Sequence, residues 1–381
     1  MKQPITSFLK NNTVFVISGF LAILSMFFIP PSPNYIHYID FRVLTLLFCL
    51  MLVVSGFQTT GLFHTISNTL LRKTHSLRQL AIILIGITFV GSMFITNDVA
   101  LIAFVPLSIL VLQQALQHLE QQNQMLYQRI LITIVVLQTI AANLGSMLTP
   151  IGNPQNLYLY SLSNMSLATF FQYTAPLTAC SALLLLFACS VLLPKHTIKA
   201  PNTEPPQLQQ KPFLLHSFLF LCCLLTVGHL LPWQMLLLFV VLILLFTQKH
   251  LFRTVDYGLL ATFLCFFIFI GNIGELESIR TILQSLLDGK EIIVSALSSQ
   301  IISNVPASIL LSGFTTAYGK LLIGVNVGGL GTLIASLASL ISWKQYNNTT
   351  SAKPSRYFLV FTLLNGIFFL LLLLLALFLY Q

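Results

Sequence analysis

The sequence predicts an all-α polytopic membrane protein, and three observations lead to this fold class. Of the 381 residues, 56% are hydrophobic and only 7% are charged, whereas soluble domains average about 25% charged residues. Apolar runs of about 20 residues, long enough to cross a bilayer, recur along the whole chain. The eighteen Lys and Arg residues fall in the short segments between these runs, which is typical of topology signals. The net charge of +9 is thereby explained without a nucleic-acid partner, and the expected surroundings are the lipid bilayer.

The positions of the basic residues predict the orientation of the chain. If the N-terminus is cytoplasmic, all but four of the Lys and Arg residues lie in inside segments, as the positive-inside rule requires. We therefore expect a multi-pass protein of the cell membrane with a cytoplasmic N-terminus. The six cysteines lie inside apolar runs without metal-ligand spacing, which favours packing over a metal site. The four basic residues left outside are Arg42, Arg280, Lys290 and Lys320.

Two apolar segments, residues 80–112 and 292–313, carry polar residues at their centres. The first centre is Thr-Asn-Asp at 96–98, and the second is Ser-Asn at 303–304. The arms on either side have about 10 to 17 residues, which is short for a crossing helix. We therefore predict two re-entrant hairpins, whose irregular tips are tolerated at membrane depth only against protein or a wet cavity. Two full crossings per segment would leave the sidedness of the loops unchanged, so the charge pattern does not decide between these alternatives.

Two further apolar segments, residues 130–160 and 321–342, are predicted to form discontinuous transmembrane helices. In the first, Gly145, Pro150 and Gly152 oppose a continuous helix. Proline removes a backbone donor and clashes with the preceding turn, and glycine costs about 1 kcal/mol relative to alanine. The freed carbonyls and amides then need partners, which an ion or a substrate can supply. The alternative is a kinked helix whose polar groups bond to neighbouring side chains.

The two broken segments align with each other, which predicts an internal repeat. Laying NLGSMLTPIGNPQNL (143–157) over NVGGLGTLIASLASL (326–340) pairs Asn with Asn, Gly with Gly and Thr with Thr. Each segment follows a hairpin, and each hairpin follows an apolar span introduced by an aspartate. An inverted repeat with broken helices is the architecture of secondary transporters. The predicted organisation is a first repeat 1–193, a cytoplasmic linker 194–212, and a second repeat 213–381 whose additional helix 213–231 inverts its orientation.

The hairpin tips have the residue types of helix starts. A capping side chain followed by Pro306 in the first turn is typical of an N-terminus, and the unpaired amides there attract anions. Asp98 needs another reason, because a charge at the centre of a membrane helix costs about 2.5–3.5 kcal/mol on insertion scales. We expect it to bind Na⁺ or to carry a proton, and the alternative is plain capping. The candidate substrate- and ion-binding residues are Thr96, Asn97, Asp98, Asn143, Thr149, Asn153, Ser303, Asn304, Asn326 and Thr332, of which Asp98, Asn97 and Asn304 are the candidate Na⁺ ligands.

Four of these segments resemble signature segments of the ion transporter superfamily: TNDVALIAFVP, NLGSMLTPIGNPQNL, SNVPASILL and GVNVGGLGTLIASL. The chain is most similar to bacterial anion permeases of the arsenite permease-like and citrate permease-like type, which are related to the divalent anion:Na⁺ symporters. The resemblance covers about residues 40 to 342. It implies two hairpins that meet broken helices, with substrate and coupling ion between them, and it implies a homodimer. The dicarboxylate branch carries Ser-Asn-Thr at both tips, so the different tips of this chain leave the substrate open.

The function predicted from these features is secondary active transport. We expect a small anion or oxyanion to cross the cytoplasmic membrane by alternating access, coupled to Na⁺ or H⁺, with no cofactor besides that ion. The chain lacks a nucleotide-binding G-x-x-x-x-G-K-[ST] motif, so ATP is not expected to drive it directly. A Na⁺/H⁺ antiporter without an organic substrate is the main alternative. A passive channel and a membrane-embedded enzyme are further alternatives, although no paired catalytic groups lie at membrane depth, so we expect no enzymatic activity.

Overall fold

The structure is a computed structural model that describes residues 13–62, 65, 74, 76–116, 119, 122–195, 197, 208–349 and 352–380. The N-terminal residues 1–12 and the centre of the predicted linker, 198–207, lie outside the described residues. Within the described residues the regular elements are helices, apart from one isolated bridge between Ser76 and Thr197. The α-helices are α1 (Thr13–Met26), α2 (Tyr35–Tyr38), α3 (Phe41–Thr59), α4 (Leu77–Ile95), α5 (Asn97–Ala115), α6 (Gln124–Ser146), α7 (Pro154–Ser163), α8 (Leu167–Leu192), α9 (Gln210–Val227), α10 (Trp233–Thr247), α11 (Tyr257–Gly274), α12 (Glu277–Leu287), α13 (Glu291–Ile302), α14 (Asn304–Ser312), α15 (Tyr318–Val327), α16 (Leu337–Asn347) and α17 (Pro354–Tyr380).

The helices confirm the predicted all-α polytopic fold class. Eight of the described helices are long and apolar enough to cross a membrane: α3, α4, α5, α6, α8, α9, α11 and α17. Large apolar side chains such as Phe246 and Phe378 are exposed on the surface. Patches of this kind are rare on soluble monomers, and in a membrane they face lipid tails. The buried core includes α6, where 83% of the most apolar window is buried.

The two helical hairpins differ in length. Helices α4 and α5 have 19 residues each, whereas α13 has 12 and α14 has 9. The first hairpin extends beyond the predicted limits of 80–112 because Ser76 caps α4 by accepting from the Gln79 amide and α5 continues through polar residues to Ala115. Arm length therefore gives no reason to expect re-entrance of the first pair. It supports re-entrance only for the second pair, and re-entrance of both stays a prediction.

Both hairpins turn at a single residue with a similar backbone conformation. Thr96 has φ 68° and ψ 151°, and Ser303 has φ 73° and ψ 153°. A positive φ is uncommon outside glycine and costs on the order of 1–3 kcal/mol, a strain found mainly at functional sites. The expected side-chain capping is wrong for both residues, since neither makes a side-chain cap bond to its helix. Their carbonyl oxygens instead accept from the amides of Ala100 and Ala307, because the unusual backbone turns the side chain away from the helix start.

Both predicted broken segments are interrupted. Helix α6 ends at Ser146, and α7 begins at Pro154 behind the cap Asn153, whose side chain accepts from the amide of residue 156. The second break separates α15 from α16 and contains no proline. There the chain turns at Gly331, with φ +98°, a conformation that glycine adopts without strain. Proline chemistry opens the first break and glycine chemistry opens the second.

The helices pack in two groups that cut across the two sequence halves. In the first packing group α1 lies against α11, and α3 lies against α9 and α10. The second packing group contains α4 to α8 and α13 to α17, with α4 on α6, α13 on α15 and α5 on α16. The groups meet where α3 contacts α7 and where α11 contacts α14. Each half of the chain thus contributes helices to both groups.

Candidate functional site

The centre of the candidate site is a reciprocal contact between the two helix breaks. Asn153 Nδ2 donates to Asn326 Oδ1 over 3.0 Å, and Ser336 Oγ donates to Asn143 Oδ1 over 3.0 Å. Asn153 and Ser336 both stand at the N-cap of the second helical piece. Their acceptors lie near the end of the first piece in the opposite half. All four side chains are buried, so the breaks are locked to each other inside the protein.

Each hairpin tip is bound to the break of its own half in the same way. The Asn97 amide donates to the Gly152 carbonyl over 3.0 Å, and the Asn304 amide donates to the Ala335 carbonyl over 2.9 Å. The two carbonyl residues occupy the same column of the alignment between 143–157 and 326–340. The hydrogen bonds therefore follow the register in which the two segments align.

Thr149 and Thr332 brace these tips and do not line the cavity described below. Thr149 Oγ1 donates to the carbonyl of Met93, and Thr332 Oγ1 donates to the carbonyl of Gln300 over 3.0 Å. Each threonine therefore ties its break to the arm that leads into the tip. Both hydroxyls donate to backbone carbonyls. This geometry favours a role in positioning the hairpin tips.

Two amide side chains outside the predicted set satisfy carbonyls that the breaks set free. Asn156 Nδ2 donates to the carbonyls of Ser146, Met147 and Thr149. Gln300 Nε2 donates to the carbonyls of residues 328 and 330 in the second half. These carbonyls are therefore occupied by protein donors. The sequence signal for Gln300 is a polar residue inside an apolar hairpin arm, the same signal that marked the tips.

The two asparagines at the tips differ in their partners. Asn97 Nδ2 donates to Asn143 Oδ1 over 3.0 Å, and Asn97 Oδ1 accepts from the next amide. The amide nitrogen of Asn304 instead lies beside Gly329, where a Cβ atom would be only 2.8 Å away. Asn326, the aligned counterpart of Asn143, is engaged by Asn153 and by residue 156. The first tip is therefore fastened by the Asn97 side chain, whereas the second is held by close packing and by bonds from the Asn304 amide and the Ser303 hydroxyl to the Ala335 carbonyl.

Asp98 lies at the floor of a cavity of about 440 Å³. Thr96 and Asn153 line the same floor, whereas Ser303 and Asn304 are buried and are not part of this lining among the described residues. Asp98 Oδ1 is buried and has no hydrogen-bond partner in the described part of the chain. A buried charge of this kind is costly unless a cation or a proton accompanies it. This carboxylate is the strongest candidate for the ion ligand.

The mouth of this cavity carries two charged residues that were not among the predicted site residues: Lys344, which was expected only as a topology signal, and Asp256, which was expected only to introduce an apolar span. Asp256 and Lys344 are exposed and line the cavity together with Thr254. Lys344 ends a face of α16 that follows Leu337, Leu340 and Ile341 along the wall, and this spacing is that of one helix face. The path to Asp98 is therefore lined mainly by apolar side chains and is charged at its entrance.

Among the residues that join the two helix breaks, Asn143 is expected to contribute most to the stability of the folded protein. Replacing it by Ala leaves Asn97 Nδ2 and Ser336 Oγ without their acceptor, and each unsatisfied buried group costs about 1–3 kcal/mol. We expect N143A to lower the melting temperature of the purified protein by several degrees. Asn365→Ala is the control, because among the described residues its amide nitrogen donates to Phe361 within its own helix. Equal destabilisation by the two substitutions would contradict the bridging role.

Comparison with known proteins identifies the family of the chain. A family model described as citrate transporter (CitMHS) matches residues 5–320. The chain belongs to the citrate transporter family. Inner membrane protein YbiR of Escherichia coli is 30% identical over 357 residues, which cover 91% of each chain. Family membership confirms the resemblance to the anion permease type and shows that the protein is a membrane transporter.

Two further relatives agree with this assignment to the citrate transporter family. An uncharacterized transporter of Methanocaldococcus jannaschii is 29% identical over 326 residues, covering 85% of this chain and 86% of that protein. A silicon efflux transporter of Oryza sativa subsp. japonica is 29% identical over 132 residues, covering 35% of this chain and 25% of that protein. The names of these relatives and the crossing helices support a multi-pass membrane protein.

Proposed function

We propose that this member of the citrate transporter family is a secondary active transporter that couples a small anion or oxyanion to Na⁺ or H⁺. The observation that supports this most is the buried Oδ1 of Asp98, which lines an open cavity and has no hydrogen-bond partner among the described residues. A buried carboxylate in a membrane protein needs a proton or a cation to offset its charge. Asp98 is accordingly the cation ligand or proton carrier of the transport cycle.

The anion is proposed to bind where four helices begin. Helices α5, α7, α14 and α16 all start at the hairpin tips and helix breaks, which hydrogen bonds bring together. Each helix start carries a partial positive charge, equivalent to about half a unit, and such ends bind anions without a basic side chain. This arrangement favours a small anion, and the family description, citrate transporter, agrees with that class of substrate.

The cavity is proposed to open to the cytoplasm, so the structure corresponds to an inward-open state. Its mouth contains Asp256 and Lys344 and follows the basic segment Lys249–Arg253, which the positive-inside rule assigns to the cytoplasmic side. In this orientation the two halves form an inverted repeat, the second hairpin approaches from the outside, and the N-terminus is cytoplasmic. A homodimer, implied by the family resemblance, stays a prediction.

The membrane potential can drive this cycle in one direction. Moving one elementary charge across 100 mV is worth about 2.3 kcal/mol. Inward symport of an anion with more than its equivalent of cations therefore allows accumulation of the anion. The main alternative is Na⁺/H⁺ exchange at Asp98 without an organic substrate. It is favoured by the fact that Asp98 is the one carboxylate at the floor of the cavity among the described residues.

Ligand-induced thermal stabilisation tests the proposed function. Purified protein is heated with a panel of small anions, including citrate and inorganic oxyanions, in Na⁺ or in choline at two pH values. At 100 times the dissociation constant a ligand stabilises the folded state by about 2.7 kcal/mol. We expect a rise in melting temperature for at least one anion, and we expect it to require Na⁺ or acid pH. Stabilisation by anions regardless of the cation would contradict coupling.

Vesicle assays separate the two transport modes. Counterflow of the stabilising anion in reconstituted vesicles is expected to saturate and to require the same cation. A pH change inside vesicles on addition of Na⁺, without any anion, would establish the antiporter alternative instead. Equilibration of the anion without saturation would indicate a channel and contradict both modes.

A further inference from the structure

The cavity that contains Asp98, called the inner cavity from here on, is walled in part by α3 and α16. Each of these helices has a counterpart in the opposite half of the sequence. Asp40 and Asp256 cap α3 and α11 in the same way, by accepting from the amides of Val43 (3.0 Å) and Leu259 (2.9 Å). This pairing aligns α3 with α11, while the alignment of the breaks pairs α16 with α7. The walls of the inner cavity therefore map onto α11 and α7 at the opposite end of the molecule.

A smaller cavity of about 280 Å³ lies at the place where this mapping points. It is lined by Tyr158 and Phe267, which correspond to Ile341 and Met51 in the wall of the inner cavity. Tyr38 also lines it and corresponds to Thr254 at the inner mouth. Bulky aromatic rings thus occupy positions that hold aliphatic or small side chains on the open side.

Three aromatic rings pack against one another here, and two of them, Tyr158 and Phe267, line the smaller cavity. The ring centroid of Tyr158 lies 6.3 Å from that of Phe263 and 5.8 Å from that of Phe267, and the two phenylalanine rings are 6.0 Å apart. These are favourable distances for aromatic packing. The Tyr158 hydroxyl also shares a hydrogen bond of 2.8 Å with Ser312 Oγ. Asn304, at the second tip, is 3% exposed.

Tyr38 covers the same cavity from outside. Its ring lies so close to Gly271 that a Cβ atom there would be 2.3 Å from ring carbons. Its hydroxyl donates to Glu275 Oε1 over 2.6 Å. Burial and this hydrogen bond raise the pKa of the Tyr38 phenol to about 12, so the hydroxyl remains a donor over the whole physiological range.

The three rings belong to different packing groups. Phe263 and Phe267 lie on α11 of the first packing group, and Tyr158 lies on α7 of the second. A shift between the groups would therefore part the rings at this end. The same shift would bring together α3 and α16, which form the walls of the inner cavity.

We propose that Tyr158, Phe263 and Phe267 form the closed extracytoplasmic gate of this transporter. The gate blocks the path to the second tip while the cytoplasmic cavity is open. The proposal rests on the proposed transport function, because only alternating access gives a closed second path a purpose. It adds three residues that act in access to the site and not in ligand binding.

Thiol accessibility at Val305 tests the gate. Val305 corresponds to Asp98 in the second hairpin, and V305C is made in a chain without its six native cysteines. We expect a membrane-impermeant maleimide added from the extracytoplasmic side to react slowly. In a triple variant, each gate residue is replaced by the residue type found at the aligned position of the inner cavity: Y158I, F263L and F267M. This variant is expected to react at least ten times faster. Fast labelling before the gate is altered would overturn the proposal.

Phe266→Leu is the matched control for these substitutions. Phe266 is buried on the same helix and corresponds to Leu50 in the wall of the larger cavity, but it is not one of the three proposed gate residues. We expect F266L to leave the labelling rate within twofold of the starting protein. An equal increase in F266L would show general loosening and would overturn the gate. If the triple variant does not fold, F267M alone is expected to raise the rate severalfold, and no change in this folded variant would equally overturn it.

The labelling does not use a substrate, so its outcome is separable from the transport assays. Labelling as expected, together with no transport of any anion, would leave the gate standing and would count against the proposed function. Coupled transport with unchanged labelling in folded gate variants would support the proposed function and contradict the gate. The second result would place the outer closure elsewhere in the molecule.

Discussion

Replacing Asp98 by Asn is expected to abolish cation-coupled transport while the protein remains folded. Asn keeps the size of the side chain and removes the charge, so a bound cation loses its anionic ligand and a proton loses its acceptor. Charged ligands contribute strongly to binding in a site of low dielectric constant. We therefore expect the apparent affinity for the coupling cation to fall at least tenfold, measured as the cation dependence of initial uptake rates in vesicles.

Asp256→Asn is the matched control for D98N. Asp256 lines the same cavity, but it is exposed at the mouth and caps α11 through its side-chain oxygen. Asn is an equally good cap residue, so D256N is expected to change neither stability nor cation affinity by more than about twofold. Retention of both uptake and cation dependence in D98N would show that Asp98 does not couple transport. An equal loss in both variants would point to the charge of the cavity as a whole.

Gly145→Ala is expected to cause the largest loss of folded protein. A Cβ atom at this position would lie 2.0 Å from the Phe89 carbonyl oxygen and 2.6 Å from Ser92 Oγ. The nearest obstacle is backbone, so α4 and α6 would have to separate. Overpacking of a tight core typically costs about 1–3 kcal/mol and occasionally more, and we expect the upper end here. The readout is the yield and melting temperature of monodisperse protein.

Gly86 supplies the control for G145A. It lies on α4, and a Cβ atom there would meet nothing within 4 Å. Because alanine favours a helix by about 1 kcal/mol over glycine, G86A is expected to leave stability unchanged or to raise it slightly. Gly328, the aligned counterpart of Gly145, would place its Cβ atom 2.7 Å from Ser299, so G328A is also expected to destabilise. Wild-type stability of G145A would contradict the close packing of the first hairpin on its broken helix.

Features with a local chemical signal could be predicted from the sequence. Polar residues within apolar runs marked both tips at residues 96–98 and 303–304, and prolines and glycines marked the breaks. The alignment of the breaks placed Thr149 opposite Thr332, and both hydroxyls bond to the hairpin arm of their own half. These signals survive because a membrane leaves few places for polar or helix-breaking residues.

Features that depend on tertiary packing left no such signal. The contact between Asn153 and Asn326 joins residues 173 positions apart. An asparagine in an apolar segment indicates that a hydrogen-bond partner is needed, but not which residue supplies it. The two packing groups contain helices from both repeats. The apolar pattern of a helix is compatible with several neighbouring helices, so the pattern did not predict this grouping. Lys344 was expected only as a topology signal and Asp256 only as the start of an apolar span, and it is the fold that brings both to the mouth of one cavity. The aromatic gate was hidden for the same reason, since phenylalanine is common in membrane helices.

In the proposed transport cycle a cation reaches Asp98 from the cytoplasm, and protection of a neighbouring cysteine tests this step most directly. Val99 lines the cavity beside Asp98, and V99C in the cysteine-free chain provides a reactive thiol there. In inside-out vesicles an impermeant maleimide is expected to label V99C, and Na⁺ or acid pH is expected to slow this labelling at least threefold. In a V99C chain that also carries D98N, this protection by the cation is expected to disappear. Labelling from the extracytoplasmic side alone, or labelling that no cation slows, would contradict this account.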